Sequence, residues 1–143
     1  MTAGAGAFTV IVMAKNTKPM TRLIVADSER DADMLYATRM FVPDPFIFLE
    51  QNGKRTIVLS DLEIDRGRKQ AQVDEILPLS QFEREVQGSA KKAPPFEKIV
   101  AHFLQKRGVR SAVVPASFPF GLAQELAQEH PPAHHEWPLL AGA

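Results

Sequence analysis

The sequence predicts an α/β domain built on a mixed β-sheet with flanking helices. Three observations carry that class. Short apolar runs rich in β-formers alternate with stretches of helical periodicity, two of those runs flank Asn52-Gly53, and Phe96 to Leu104 repeats its apolar residues at helical spacing. The Asn-Gly pair calls for an antiparallel hairpin, and the strand–helix alternation after it calls for crossover connections. The sheet is therefore expected to be mixed.

Arg22 to Ala26 (RLIVA) reads as a buried strand bounded by Asp27-Ser28. Ser28, Glu29 and Asp31 supply cap oxygens and first-turn negative charge for a helix running to about Thr38, with Met34 and Leu35 facing inward. Two prolines in Phe41-Val-Pro-Asp-Pro45 end that helix and impose an extended loop. Phe46 to Glu50 and Arg55 to Leu59 are the arms of the hairpin, since Asn52 and Gly53 both tolerate the positive φ of a type I′ turn.

From Asp61 a polar surface helix is expected, acidic at its start and basic at its end, with Gly67 weakening it. Val73 to Leu79 reads as a strand, Ser80 to Val86 as a short helix, and Gly88 to Pro95 as a linker-like loop. Pro94 and Pro95 suit the entry of the next helix. Its residues Phe96, Ile99, Val100, Phe103 and Leu104 form an apolar stripe closed by Lys106-Arg107-Gly108. Val109 to Val114 gives a further strand and Pro119 to Gln128 a further helix.

Composition bounds the function. A length of 143 residues suits one domain with a real core, and 45% hydrophobic against 24% charged residues argues against global disorder. Acidic and basic residues balance at 17 each, so no overall field draws the protein to nucleic acid or to an anionic membrane. Cysteine is absent, which removes disulfides, thiolate catalysis and thiolate metal sites and fits a cytoplasmic protein. The apolar run Ala5 to Ala14 falls well short of the roughly 20 residues a membrane span needs. Lys15 and Lys18 follow that run rather than precede it, unlike a secretory signal. Residues 1–20 are expected to be an N-terminal extension, either a tail or an extra strand, with Met20 an alternative start. Residues 21–130 form the domain, and 131–143 a C-terminal tail or junction segment.

No catalytic motif stands out. The serines lie in no G-x-S-x-G elbow, and no dinucleotide or P-loop glycine pattern occurs. His102 sits on the amphipathic helix and reads as structural or surface. His130, His134, His135 and Glu136 are denser, and two histidines four apart could clasp a metal on a helix. Pro131-Pro132 disfavours that helix, so a solvated tail is the reading preferred. Asp61, Glu63 and Asp65, at spacing two, fall on different faces of a helix and do not converge. Elimination leaves a binding or assembly domain with no self-sufficient catalytic site.

The stretch Asp31 to Leu49 resembles the helix–loop–strand of the N-terminal domain in the Xaa-Pro aminopeptidase, prolidase and creatinase family. Tyr36-Ala37-Thr38 stands where that family has an aromatic, a small or apolar residue and a threonine or serine. Pro43-Asp44-Pro45-Phe46 stands at its proline-bearing loop and the start of its apolar strand. Val58 to Glu63, Val73 to Leu77 and Gly108 to Pro115 resemble bacterial Xaa-Pro aminopeptidases as well. The family's glycine after the threonine is Arg39 here, and its aromatic follower is Met40. A glycine at that point supports a backbone turn that arginine adopts less easily.

The resemblance implies a creatinase/prolidase N-terminal-domain-like fold, placed before a larger catalytic domain that binds two divalent metals of the Mn or Co type and activates a bridging water. None of those ligands can be matched in this chain, so no metal or cofactor of its own is expected. The implied partners are that catalytic domain, in cis or in trans, and further copies of the chain. The implied roles are restricting access to the active site and contributing oligomer contacts. Arg39, Phe41, Val42 and Asp44 would approach the domain junction as substrate-rim or interface residues. The alternative is that their loop only closes the helix onto the hairpin. The rival reading of the whole chain is a stand-alone binding or assembly protein derived from such a domain.

Overall fold

Six strands form one sheet in the computed structural model, which describes residues 8–12 and 21–129. They are β1 (Thr9–Val12), β2 (Thr21–Ala26), β3 (Phe46–Gln51), β4 (Lys54–Leu59), β5 (Glu75–Pro78) and β6 (Ser111–Val114). Their spatial order is β1-β6-β2-β3-β4-β5. β3 alone runs against its neighbours, and β1, β6, β2, β4 and β5 share one direction. The mixed sheet with flanking helices is thus the fold found.

Each helix follows from local chemistry. The short helix α1 (Ala32–Thr38) starts where the Asp31 carboxylate accepts from the Met34 backbone N–H. Ser28, expected as a cap residue, instead serves the loop after the helix, as described below. A 3-10 turn (Asp61–Glu63) leads into α2 (Ile64–Gln70), so the helix expected from Asp61 begins one tighter turn earlier than its α part. Helices α3 (Leu79–Gln87), α4 (Phe96–Lys106) and α5 (Phe120–Glu129) complete the described residues. Ile99, Val100, Phe103 and Leu104 of the expected stripe are buried, and Phe96 packs at its margin.

The two faces of the sheet bury separate cores. On one, Leu23, Val25, Ile47, Leu49 and Val58 meet α3, α4 and α5 through Phe82, Phe103 and Leu126. On the other, Ile24, Phe46, Phe48, Ile57 and Leu59 meet α1 and α2 through Met34, Ala37 and Ile64. The hairpin turns at Asn52 (φ 51) and Gly53 (φ 85), both in the left-handed region that a type I′ turn demands. Of the two readings of residues 1–20, the extra strand describes Thr9–Val12, which pairs in parallel with Ser111–Val114. The histidines at 130, 134 and 135 lie outside the described residues. Among the described residues, no helix is long and apolar enough to cross a membrane.

Gly67 has a packing role that helix propensity does not reveal. It is buried, and a Cβ there would lie 2.7 Å from Cδ1 of Leu59, itself fully buried. The small residue lets α2 approach β4. Gly67→Ala gains about 1 kcal/mol of helix propensity but overpacks a filled core at about 1–3 kcal/mol. A net loss of about 1 kcal/mol in urea unfolding is expected, and Leu59→Val should shrink it.

A charge clasp ties β5 to the end of α4. The Glu75 carboxylate accepts from Arg107 Nη1 at 3.0 Å and from Thr56 Oγ1 at 3.0 Å, with Lys54 Nζ at 3.4 Å. The Arg107 guanidinium, aided by the Thr56 hydroxyl and Lys54, holds its pKa down at about 2 against an ordinary 4.5. A lowered pKa means that the clasp contributes fully above pH 4.5 and is lost as pH falls through about 2. Stability measured by urea midpoint should therefore decline across that window, and Glu75→Gln should flatten the decline.

Candidate functional site

The segment joining β2 to β3 builds one corner of the domain. The Thr38 hydroxyl donates back to the Met34 carbonyl at 2.9 Å, and Arg39 then takes a left-handed conformation, φ 60 and ψ 31. Its backbone N–H donates to the Leu35 carbonyl at 2.7 Å and closes the helix. The Arg39 guanidinium lies over the Tyr36 ring, 4.6 Å from its centroid. Ser28, buried at the end of β2, fastens the loop that follows. Its hydroxyl donates to the Met40 carbonyl and accepts from the Val42 N–H at 2.7 Å, and its own N–H donates to the Val42 carbonyl at 3.1 Å.

The four residues singled out from the sequence separate here. Arg39, Phe41 and Asp44 are exposed, with Phe41 at 55%. Val42 is buried at 2% and packs in the core with Met40 and Phe46, so it holds the loop rather than presenting a side chain. Phe41 points outward between two buried neighbours, which is the alternation an extended segment imposes.

Beside this corner lies a cleft of about 220 Å³ between α1 and the β2–β6 strands. Ile24, Ala37, Val113 and Pro115 give it apolar walls, and Arg22, Asp33 and Tyr36 bring polar groups to it. Arg22 and Val113 are register partners across β2 and β6. Pro115 follows two residues on, about 7 Å along the strand direction. At that far end Ser117 Oγ donates to Asp31 Oδ2 at 3.2 Å and ties the loop after β6 to the start of α1. Parallel neighbours β2 and β6 send their chains to opposite faces, to α1 and α5 respectively. Such a divergence opens a crevice at the carboxyl ends of strands.

The charges around the cleft differ in how far they are engaged. Arg22 Nε donates to Glu50 at 2.9 Å, while Arg55 Nε lies 3.6 Å from the same carboxylate, leaving two guanidiniums against one anion. The terminal nitrogens of Arg22 and the carboxylate of Asp33 make no hydrogen bond to a described residue. Sequence reasoning missed Arg22, Asp33 and Tyr36. The i, i+3 spacing of Asp33 and Tyr36 puts both on one helix face, but only the pairing of β2 with β6 supplies the opposite wall.

The remaining acid–base groups serve structure. Asp61 accepts from the Ser80 hydroxyl at 2.7 Å, Glu63 pairs with Arg66 and Asp65 with Arg68, so that carboxylate row disperses as expected. His102 Nε2 meets Glu85 at 2.7 Å, with Lys106 Nζ 3.0 Å from the same group. These two partners, His102 first, hold the Glu85 pKa below its usual range. The Arg30 backbone N–H does the same for Asp27. Among the described residues, no group of three or more His, Cys, Asp or Glu side chains could hold a metal ion.

No protein-family model and no curated protein matches the chain. Among solved structures it is similar to the prolidase from Pyrococcus horikoshii OT3, at 10% identity and a TM-score of 0.40. That likeness covers 78% of this chain and 30% of the prolidase, so the chain spans less than a third of that protein. A likeness of that degree decides nothing about chemistry.

The left-handed turn at Arg39 can be tested directly. Arg39→Ala and Arg39→Gly both lose the contact with Tyr36, but only alanine keeps the left-handed penalty of about 1–2 kcal/mol. Glycine's greater unfolded-state freedom offsets part of this. Glycine is expected to be the more stable of the two by about 1 kcal/mol in urea melts, the reverse of the order inside a helix.

Proposed function

We propose that this chain is a non-catalytic N-terminal domain of a Xaa-Pro aminopeptidase/prolidase-type metallopeptidase. In this reading it governs substrate access and contributes subunit contacts to a catalytic domain supplied in cis or in trans. The observation that carries the reading is the conformation of Arg39. The resemblance over Asp31 to Leu49 aligns Arg39 with a family glycine, and its φ of 60 is the backbone state that glycine favours. Helix, reversal, proline loop and apolar strand follow one another there in the order the resemblance requires.

Arg39, Phe41 and Asp44 are the residues this reading sends to the domain junction, because they are the exposed members of the loop. In this reading the two divalent metals of the family belong to the catalytic domain. No chemical step is assigned to this chain.

The test is hydrolysis of Xaa-Pro dipeptides and tripeptides with added manganese. The purified chain is assayed alone and then mixed with a separately expressed catalytic domain of this type. The expected outcome is silence alone and altered rate or specificity in the mixture, with Phe41→Ser reducing the change. Silence in both would favour a stand-alone binding protein, and turnover by the chain alone would overturn the proposal.

A further inference from the structure

We propose that the cleft between α1 and the β2–β6 strands binds a free apolar α-amino acid. The proposal does not rest on the peptidase reading, because a stand-alone domain would offer the same cleft. Size is the first constraint: about 220 Å³ is below the 300–1,000 Å³ usual for drug-sized ligands and suits roughly ten non-hydrogen atoms. Charge is the second. Asp33, on the first turn of α1, brings a carboxylate without a described hydrogen-bond partner, and Arg22, on β2, brings a guanidinium that lies over the Phe48 ring and whose terminal nitrogens make no hydrogen bond to a described residue.

The Arg22 end stays positive overall, because Glu50 is shared with Arg55. A ligand with one ammonium and one carboxylate satisfies both ends at once, the ammonium at Asp33 and the carboxylate at Arg22. Ile24, Val113 and Pro115 give the cleft an apolar wall, which selects a side chain such as leucine's over a charged one. Ile11, the register partner of Val113, is 40% exposed beside that wall and extends it toward the β1 edge. A purely anionic ligand would meet Asp33, and a purely cationic one Arg22, so the pair of charges excludes both.

The test is titration of the full chain with L-leucine, followed by two-dimensional NMR of backbone amides. Saturable shifts are expected at Ile24, Ala37, Val113 and Ala116, with a Kd of about 1 mM, the range reached by a ligand of this size. N-acetyl-L-leucine, which lacks the ammonium, and L-leucinamide, which lacks the carboxylate, should each bind about tenfold more weakly. Asp33→Asn should weaken leucine about tenfold while the fold is kept, since Asp33 is exposed and losing its first-turn charge costs only about 0.3–1 kcal/mol. L-leucinamide probes the Arg22 end without disturbing its pair with Glu50. The proposal fails if no saturable shift appears up to 20-fold above about 1 mM. It fails equally if N-acetyl-L-leucine binds as well as leucine, or if Asp33→Asn leaves the affinity unchanged.

Discussion

Strand β3 must be covered on both faces, and the rest of the domain is arranged around that requirement. Phe46, Ile47, Phe48 and Leu49 are four successive buried side chains, although the strand is antiparallel to both neighbours. Antiparallel strands often keep one wet face, whereas a run with no polar alternation needs two covers. Helices α1 and α2 supply one cover and α3, α4 and α5 the other. The cluster on the α1 side draws its strand residues from β2 to β5, and Ile11 of β1 stays 40% exposed. The cleft lies at that limit of the cover.

Helix α1 has seven residues, too few to be stable alone. It persists because both ends are tied to something else. Asp31 caps its first turn and also receives Ser117 from the loop after β6. At the other end Thr38 and Arg39 close the last turn, and Ser28 pins Met40 and Val42 to the end of β2. One buried serine thus fixes the path of a loop whose exposed residues are the ones proposed for a domain junction.

The ionic groups divide by what they do. Three pairs, Arg30–Asp27, Arg66–Glu63 and Arg68–Asp65, span only three residues, a local kind that contributes little to stability. The Glu75–Arg107 clasp differs because it joins distant parts of the chain and is partly shielded, with Arg107 also over the Phe103 ring and its carbonyl accepting from Gln51. The cleft lies outside these networks on its Asp33 side. A carboxylate with no described hydrogen-bond partner is available to a ligand.

The sequence by itself determined the elements. Asn52-Gly53, the proline pair at 43 and 45 and the stripe from Phe96 to Leu104 act through local backbone geometry and periodicity, and each stands where those rules put it. Arginine is expected to take a glycine-type turn less easily, yet Arg39 adopts it, with φ 60 and ψ 31. The tertiary structure alone decided three other matters. Gly67 proved to be a contact with Leu59, Ser28 proved to be a tie to Met40 and Val42, and Arg22 and Asp33 proved to face one cleft. All three depend on which strand lies beside which. That order, with β6 inserted between β1 and β2, is set by burying two faces of a sheet at once, and no local window of sequence contains it.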